Sequence, residues 1–249
     1  MGGTKNAAPP TQSSDRKLPF IPTVLGKLTM TKSIRQTFLS FSLLLLSCAS
    51  TEKCPEGINL LPMYGRQTKC EEQLNDDKKF ISECDAQFKD RKNAAKYHVD
   101  KGWEYFYKAD YKTSMKSFNQ AWLLDSSNAD IYWGFGNILG TKHEFRESLP
   151  LLEKSITLNP NNPKVYECIA TSYGQLFFEN KDVGLLNKTI DNLKTSIQLD
   201  PKNANAFGQL TGAYSYFNQK DSALKYLELT DKLDPRAVNP EVRKILTEN

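Results

Sequence analysis

The sequence predicts an all-α fold, a right-handed superhelix of about four stacked αα repeats with flanking N- and C-terminal helices. Pro160, Pro201 and Pro235 close three similar phrases, TLNP, QLDP and KLDP, and a new run with helical spacing follows each. Pro201 and Pro235 are 34 residues apart, as are Gly102 and Gly136. A unit of this length, made of two helices, cannot bury its apolar face alone and does so by stacking on its neighbours, which defines a solenoid.

Four units follow: 95–128, 129–162, 163–203 and 204–238. Counted from Ala95, Ala129, Pro163 and Ala204, the fourth place holds His98, Tyr132, Tyr166 and Phe207. The eighth holds Gly102, Gly136, Ala170 and Thr211, small residues where two helices approach. The eleventh reads Tyr105, Leu139, Tyr173 and Tyr214. In the second helix the twentieth place is small (Ser114, Ser148, Thr189, Ala223) and the twenty-fourth apolar (Phe118, Leu152, Leu193, Leu227). The twenty-seventh is small again (Ala121, Ser155, Ser196, Thr230). Each bulky side chain needs a small one opposite if helix axes are to lie about 8 to 10 Å apart. Proline at the thirty-second place stops the helix; Ser126 stands there in the first unit, where the turn is less enforced.

The third unit is longer, since Pro201 follows Pro160 by 41 residues, and the surplus falls between Tyr173 and Thr189. Either both helices lengthen or the turn protrudes. We expect a first helix extended through Phe178, with Glu179 to Asp182 as the turn and the paired Phe177 and Phe178 partly covered by a neighbour or partner. Val242, Ile245 and Leu246 in 239–249 have the spacing of a C-terminal capping helix. Leu74, Ile81, Cys84 and Phe88 predict an N-terminal capping helix within 70–94. Residues 48–69, with Pro55 and Pro62, read as a linker whose apolar knot (Ile58, Leu60, Leu61, Met63, Tyr64) is able to dock on the solenoid.

This pattern resembles the tetratricopeptide repeat (TPR) family over residues 95–238. The resemblance implies a protein-binding scaffold, with a concave surface built from the second, fifth, ninth, twelfth and thirteenth places of each first helix. Those places supply Trp103, Phe106, Tyr107, Trp133, Asn137, Glu167, Gln175, Ser215 and Tyr216. Rings there offer apolar area with a polar edge, suited to anchoring a peptide or helix. We expect an aromatic groove centred on Trp103, Tyr107 and Trp133; the alternative is that these rings pack on the N-terminal helix and fill it. The carboxylate clamp of the family's chaperone adaptors is not implied, because Val99 stands where its Lys is needed.

Residues 30–47 read as a signal peptide. Lys32 and Arg35 lead into an apolar run from Phe38 to Leu46, about half of the roughly 20 residues a membrane-spanning helix needs. Leu45, Leu46, Ser47 and Cys48 resemble a bacterial lipobox, which implies cleavage before Cys48 and lipid attachment there. Several chains on one cysteine anchor a protein stably. Met30 reads as the natural start, and residues 1–29 as a non-native or disordered extension. The expected location is the bacterial envelope, facing the periplasm, at the outer membrane in preference to the inner. Such lipoproteins of this family imply adaptor work on another envelope protein.

Charge removes one class of partner. The net +4 of the whole chain is concentrated in residues 1–47, where Lys5, Arg16, Lys17, Lys27, Lys32 and Arg35 face Asp15 alone. The rest holds 27 basic and 28 acidic residues, no footprint for nucleic acid. Only His98 and His143 exist, neither at metal-ligand spacing, and no cofactor is expected. Gly134, Gly136 and Gly140 miss a dinucleotide fingerprint by one residue and lie in a predicted helix; no nucleophile elbow or phosphate loop occurs. We therefore expect no catalysis. The alternative is an envelope enzyme or small-ligand carrier with a pocket between the repeats and the N-terminal helix. Of the remaining cysteines, Cys70 and Cys84 in one helix would be about 21 Å apart, too far for a disulfide. Cys54 is able to pair with either, and Cys168 reads as a buried thiol.

Overall fold

The structure is a computed structural model that describes residues 53–248, and these belong to one compact unit. The extension 1–29, the signal peptide 30–47 and Cys48 lie outside the described residues. Two short 3-10 turns, Ile58–Leu60 and Pro62–Arg66, come first. The α-helices are α1 (Glu71–Gln87), α2 (Arg91–Tyr107), α3 (Tyr111–Leu124), α4 (Ala129–Thr141), α5 (Phe145–Leu158), α6 (Pro163–Asn180), α7 (Val183–Leu199), α8 (Ala204–Tyr216), α9 (Lys220–Leu233) and α10 (Pro240–Glu248). The pairs α2–α3, α4–α5, α6–α7 and α8–α9 are successive antiparallel hairpins, each packed on the next. Among the described residues there is no strand, and no helix is long and apolar enough to cross a membrane.

Local chemistry sets the helix ends. Asn128, Asn162 and Asn203 cap α4, α6 and α8 by accepting from the N–H of Asp130, Lys164 and Ala206 at 2.9, 3.1 and 3.1 Å, satisfying donors a helix start leaves open. The preceding turn is held by a second device. Asp125, Asn159, Asp200 and Asp234, just before the thirty-second place, accept from the backbone N–H two residues on. Because Asp125 also accepts from Ser127 Oγ, the turn at Ser126 keeps its geometry without proline.

Packing explains the columns. A Cβ on Gly102 would lie 2.7 Å from Phe118, and one on Gly136 2.6 Å from Leu152. The eighth place is small because the twenty-fourth of the same unit presses on it. The twentieth place adds a clasp across each hairpin: Ser114 Oγ donates to Gly102 O at 2.8 Å, Ser148 Oγ to Gly136 O at 3.0 Å and Thr189 Oγ1 to Ala170 O at 3.3 Å. All of these hydroxyl residues are buried.

The long third unit gains residues in both helices. α6 has 18 residues where α4 and α8 have 13, and α7 has 17 where α5 and α9 have 14. α6 runs through Asn180, two residues beyond the expected end at Phe178, and only Lys181 and Asp182 remain as the turn. Lys181 takes the left-handed C-terminal position (φ 57°) and Asp182 caps α7, so two residues suffice to reverse the chain.

Both ends are covered. Val242 and Leu246 of α10 bury against Ala223, Leu227 and Val238. α1 packs through Phe80, Ile81 and Cys84 onto Ala94, Ala95 and Leu124. The stretch read as a linker is, from Cys54 on, a docked strap. A Cys54–Cys70 disulfide (Cα–Cα 5.1 Å) ties it to the start of α1, leaving Cys84 and Cys168 as free thiols. Buried Asn119 donates to Asn59 O and Leu61 O at 3.1 and 2.9 Å, and Met63 joins the core of the first two units. The strap docks because Asn119 and the Met63 socket have no other partner for their polar and apolar surface.

Candidate partner-binding groove

The inner face is lined by α2, α4, α6 and α8, and its character changes along the solenoid. At the N-terminal end the rings pack on one another. Trp103 lies 4.3 Å from Trp133, 5.4 Å from Phe106 and 6.1 Å from Tyr107 between ring centres, and 5.4 Å from buried Phe118 below. Trp103, Phe106 and Trp133 are therefore half-buried, whereas Tyr107 is 76% exposed. The apolar partners of α1 are Ala94, Ala95, Leu124 and Phe88, so these rings cover themselves and do not lie beneath the N-terminal helix.

In the middle of the groove the polar candidates are engaged internally. Asn137 donates to Trp133 O at 2.9 Å and accepts from Cys168 Sγ at 3.5 Å. Burial pushes the Cys168 thiol above its ordinary value, with Trp133 and Asn137 opposing part of the rise. That thiol is not an activated nucleophile. Glu167 is half-buried and accepts from Asn203 Nδ2, the side chain that caps α8. Its carboxyl is raised above the usual range, chiefly by burial, against the lowering effect of that hydrogen bond. Glu167 thus braces the junction of units three and four.

At the C-terminal end the groove is hollow. A cavity of about 380 Å³ lies between α6, α8 and the C-terminal cap, floored by Gly174, Gly208 and Gly212. Phe178 and Tyr216, ring centres 4.8 Å apart, stand at its rim with 40% and 55% of their surfaces exposed. Gln175 lines the same cavity and is exposed with no hydrogen-bond partner among the described residues. The columns of the repeat place rings on this face at Trp103, Tyr107 and Trp133. The exposed pair at Phe178 and Tyr216 is harder to foresee, because it depends on α6 reaching past Tyr173 by more than one turn.

Outside the groove, the strap lines two sizeable cavities. One of about 420 Å³ is lined by the strap, α1 and α3, where Lys69 pairs with Asp77 at 2.5 Å and sits 3.2 Å from the centre of the Tyr64 ring. Burial, with Asp77 adding to it, raises the Tyr64 hydroxyl well above its ordinary value. The other, about 670 Å³, separates the strap from α4 and α5. No group of three or more His, Cys, Asp or Glu able to hold a metal occurs among the described residues.

No family model and no curated protein matches the sequence. Solved structures do. The chain is similar to MamA (19% identity, 64% of this chain and 87% of that one, TM-score 0.51). It is also similar to TTC0263, a thermophilic TPR protein of Thermus thermophilus (17%, 62% and 80%, TM-score 0.52). A third is PilF of Pseudomonas aeruginosa (18%, 64% and 68%, TM-score 0.53). At these identities the likeness establishes the fold: the chain has the architecture of a TPR solenoid.

Proposed function

We propose that this chain is a non-catalytic adaptor, lipid-anchored through Cys48 in the bacterial envelope and facing the periplasm, that holds a peptide or helix of another envelope protein in its inner groove. The observation that carries the reading is the set of rings left open along that groove. Tyr107 at one end and Phe178 with Tyr216 at the other keep 76%, 40% and 55% of their surfaces free. Large rings so placed lose little entropy on binding and supply most of the apolar area of an interface. The polar groups in the middle of the groove are meanwhile committed to internal bonds, which supports binding over chemistry.

Photo-crosslinking amino acids placed at Tyr107 and Tyr216 in living cells test the reading, with exposed Lys154 on α5 as the outer-face control. Capture of one envelope protein from the inner positions and not from the control is expected; equal capture from all three overturns the groove. The anchor is tested separately. Labelled lipid precursor should enter the parent and not Cys48→Ser, and no label in the parent removes the anchor.

A second reading, an enzyme or small-ligand carrier, draws on the 420 Å³ cavity between the strap, α1 and α3. A small molecule retained through purification and lost in Lys69→Met would favour it.

A further inference from the structure

Several places that form the inner face carry large side chains at one end of the solenoid and glycine at the other. The fifth, ninth and twelfth places hold Val99, Trp103 and Phe106 in the first unit, whereas Gly208, Gly212 and Ser215 fill them in the fourth and Gly174 stands at the twelfth of the third. Gly208 has a packing reason, since a Cβ there would run into the carbonyl oxygen of Ala237. Gly174 and Gly212 have none. A Cβ on Gly174 would meet Thr189 at 3.7 Å, and one on Gly212 would meet Val242 at 3.8 Å, both ordinary contacts, and neither residue has a left-handed backbone. Glycine inside a helix is destabilising relative to alanine. Two such residues, with no steric need for either, leave the 380 Å³ cavity open.

The charge of that cavity decides what it accepts. None of the residues that line it is Asp, Glu, Lys or Arg; its polar side chains are those of Thr171, Gln175, Thr189, Gln209, Tyr216 and Asn239. Thr171 Oγ1 already donates to Gln209 Oε1 at 3.4 Å, and Asn239 caps α10 through Glu241 N–H at 2.8 Å. A carboxylate carried past the rim, where Lys181 stands, into the cavity itself would find no cation among the lining residues, and a buried unpaired charge is strongly disfavoured. A cation is opposed as well by Lys181, whose ammonium lies 5.4 Å from the centre of the Phe178 ring at the rim.

We propose that the C-terminal half of the groove reads an uncharged partner segment and takes one aromatic or branched aliphatic side chain into the cavity over Gly174 and Gly212, between Phe178 and Tyr216. This inference rests on the groove being the partner site. The rim rings pack on the inserted side chain, and the amides of Gln175 and Gln209 face the partner's backbone. The two glycines trade helix stability for depth.

Random dodecapeptides displayed on phage are selected on the intact chain, and synthetic copies of those enriched are measured by fluorescence anisotropy. The expected winners share one aromatic or branched aliphatic residue with uncharged neighbours. They should bind Gly212→Leu at least about tenfold more weakly, the loss of a hot-spot contact. Gly174→Ala and Gly212→Ala, which guard against misfolding of the larger substitution, should melt at higher temperature and bind more weakly. That opposition separates a binding role from a structural one. Winners that carry a charged anchor, or that bind Gly212→Leu unchanged while losing affinity for Trp103→Ala, overturn this inference and leave the groove reading standing. If no winner responds to any inner-face substitution, both fail.

Discussion

Gly136 is glycine because of Leu152. A methyl group there would lie 2.6 Å from the Leu152 side chain, itself fully buried, and overpacking of this kind costs about 1–3 kcal/mol. Gly136→Ala should therefore lower the unfolding free energy by about that amount in urea titration, although alanine is the better helix former. Single residues also set the acid response, in opposite directions. Burial lowers the pKa of His98, which stands 5.2 Å from the Phe80 ring and beside Cys84. A depressed histidine contributes stability above its unfolded value, near 6.5, and that contribution is lost as pH falls through the folded value, with a slope of at most about 1.4 kcal/mol per pH unit. Glu167 has the other sign. Its raised carboxyl makes stability greater below its unfolded value and smaller as pH rises through the folded one. His98→Phe should flatten the fall in stability below about pH 6.5, and Glu167→Gln should remove the partial recovery at lower pH; denaturation series at stepped pH measure both.

The strap shows how an element is held by parts far from it in sequence. Asn119 Nδ2 and Oδ1 bond Asn59 O, Leu61 O and Tyr64 N at 3.1, 2.9 and 3.4 Å, across 55 to 60 residues. In the strap so held, Met63, Tyr64 and Arg66 take left-handed backbone at φ 52°, 55° and 54°, a conformation costing roughly 1–2 kcal/mol per non-glycine residue. Asn119→Ala removes these three part-buried hydrogen bonds, each worth about 0.5–1.5 kcal/mol net. It should cost about 2–4 kcal/mol and open 54–66 to limited proteolysis while α4 to α9 stay protected. Local periodicity could not reveal this strap, since nothing in residues 58–66 alternates at helical spacing and the turn contains non-glycine residues where positive φ is unusual. The hairpins were legible for the opposite reason. Gly102, Ser114 and Phe118 meet within one unit, so their spacing recurs and can be read from the columns. The Asx turns lay between these cases. Asp or Asn before each closing proline was visible as a phrase, but its bond to the N–H two residues on came only with the backbone. Of the groove, the ring cluster at Trp103 and Trp133 followed from the columns. The hollow at Gly174 and Gly212 stood in those same columns and draws its meaning from the absence of any neighbour within 3.4 Å.

Over the whole solenoid, stability passes from unit to unit through shared cores. One cluster joins the first two units through Phe118, Ile131 and Phe135, and another joins the last two through Leu193, Ala206 and Leu210. Between them lie Leu152, Val165 and Ile169 with the partly buried Trp133. In such a linear array each interface contributes separately, and opening begins at an end that has lost its cap. The C-terminal cap buries Val238, Val242 and Leu246 against Ala223 and Leu227, and its Arg243 is paired with Asp231 at 2.5 Å. Removing residues 235–249 would bare the face of α8 and α9 that these side chains cover, at about 1.5–3 kcal/mol for each large apolar side chain lost from burial. Native-state hydrogen exchange on that truncated chain should show α8 and α9 exchanging orders of magnitude faster than in the parent, with α6 and α7 affected less and α2 to α5 unchanged. Uniform loss of protection in every helix would mean that the four hairpins fold as one cooperative block, and the cavity at Gly174 and Gly212 would then depend on the N-terminal units as strongly as on its own cap.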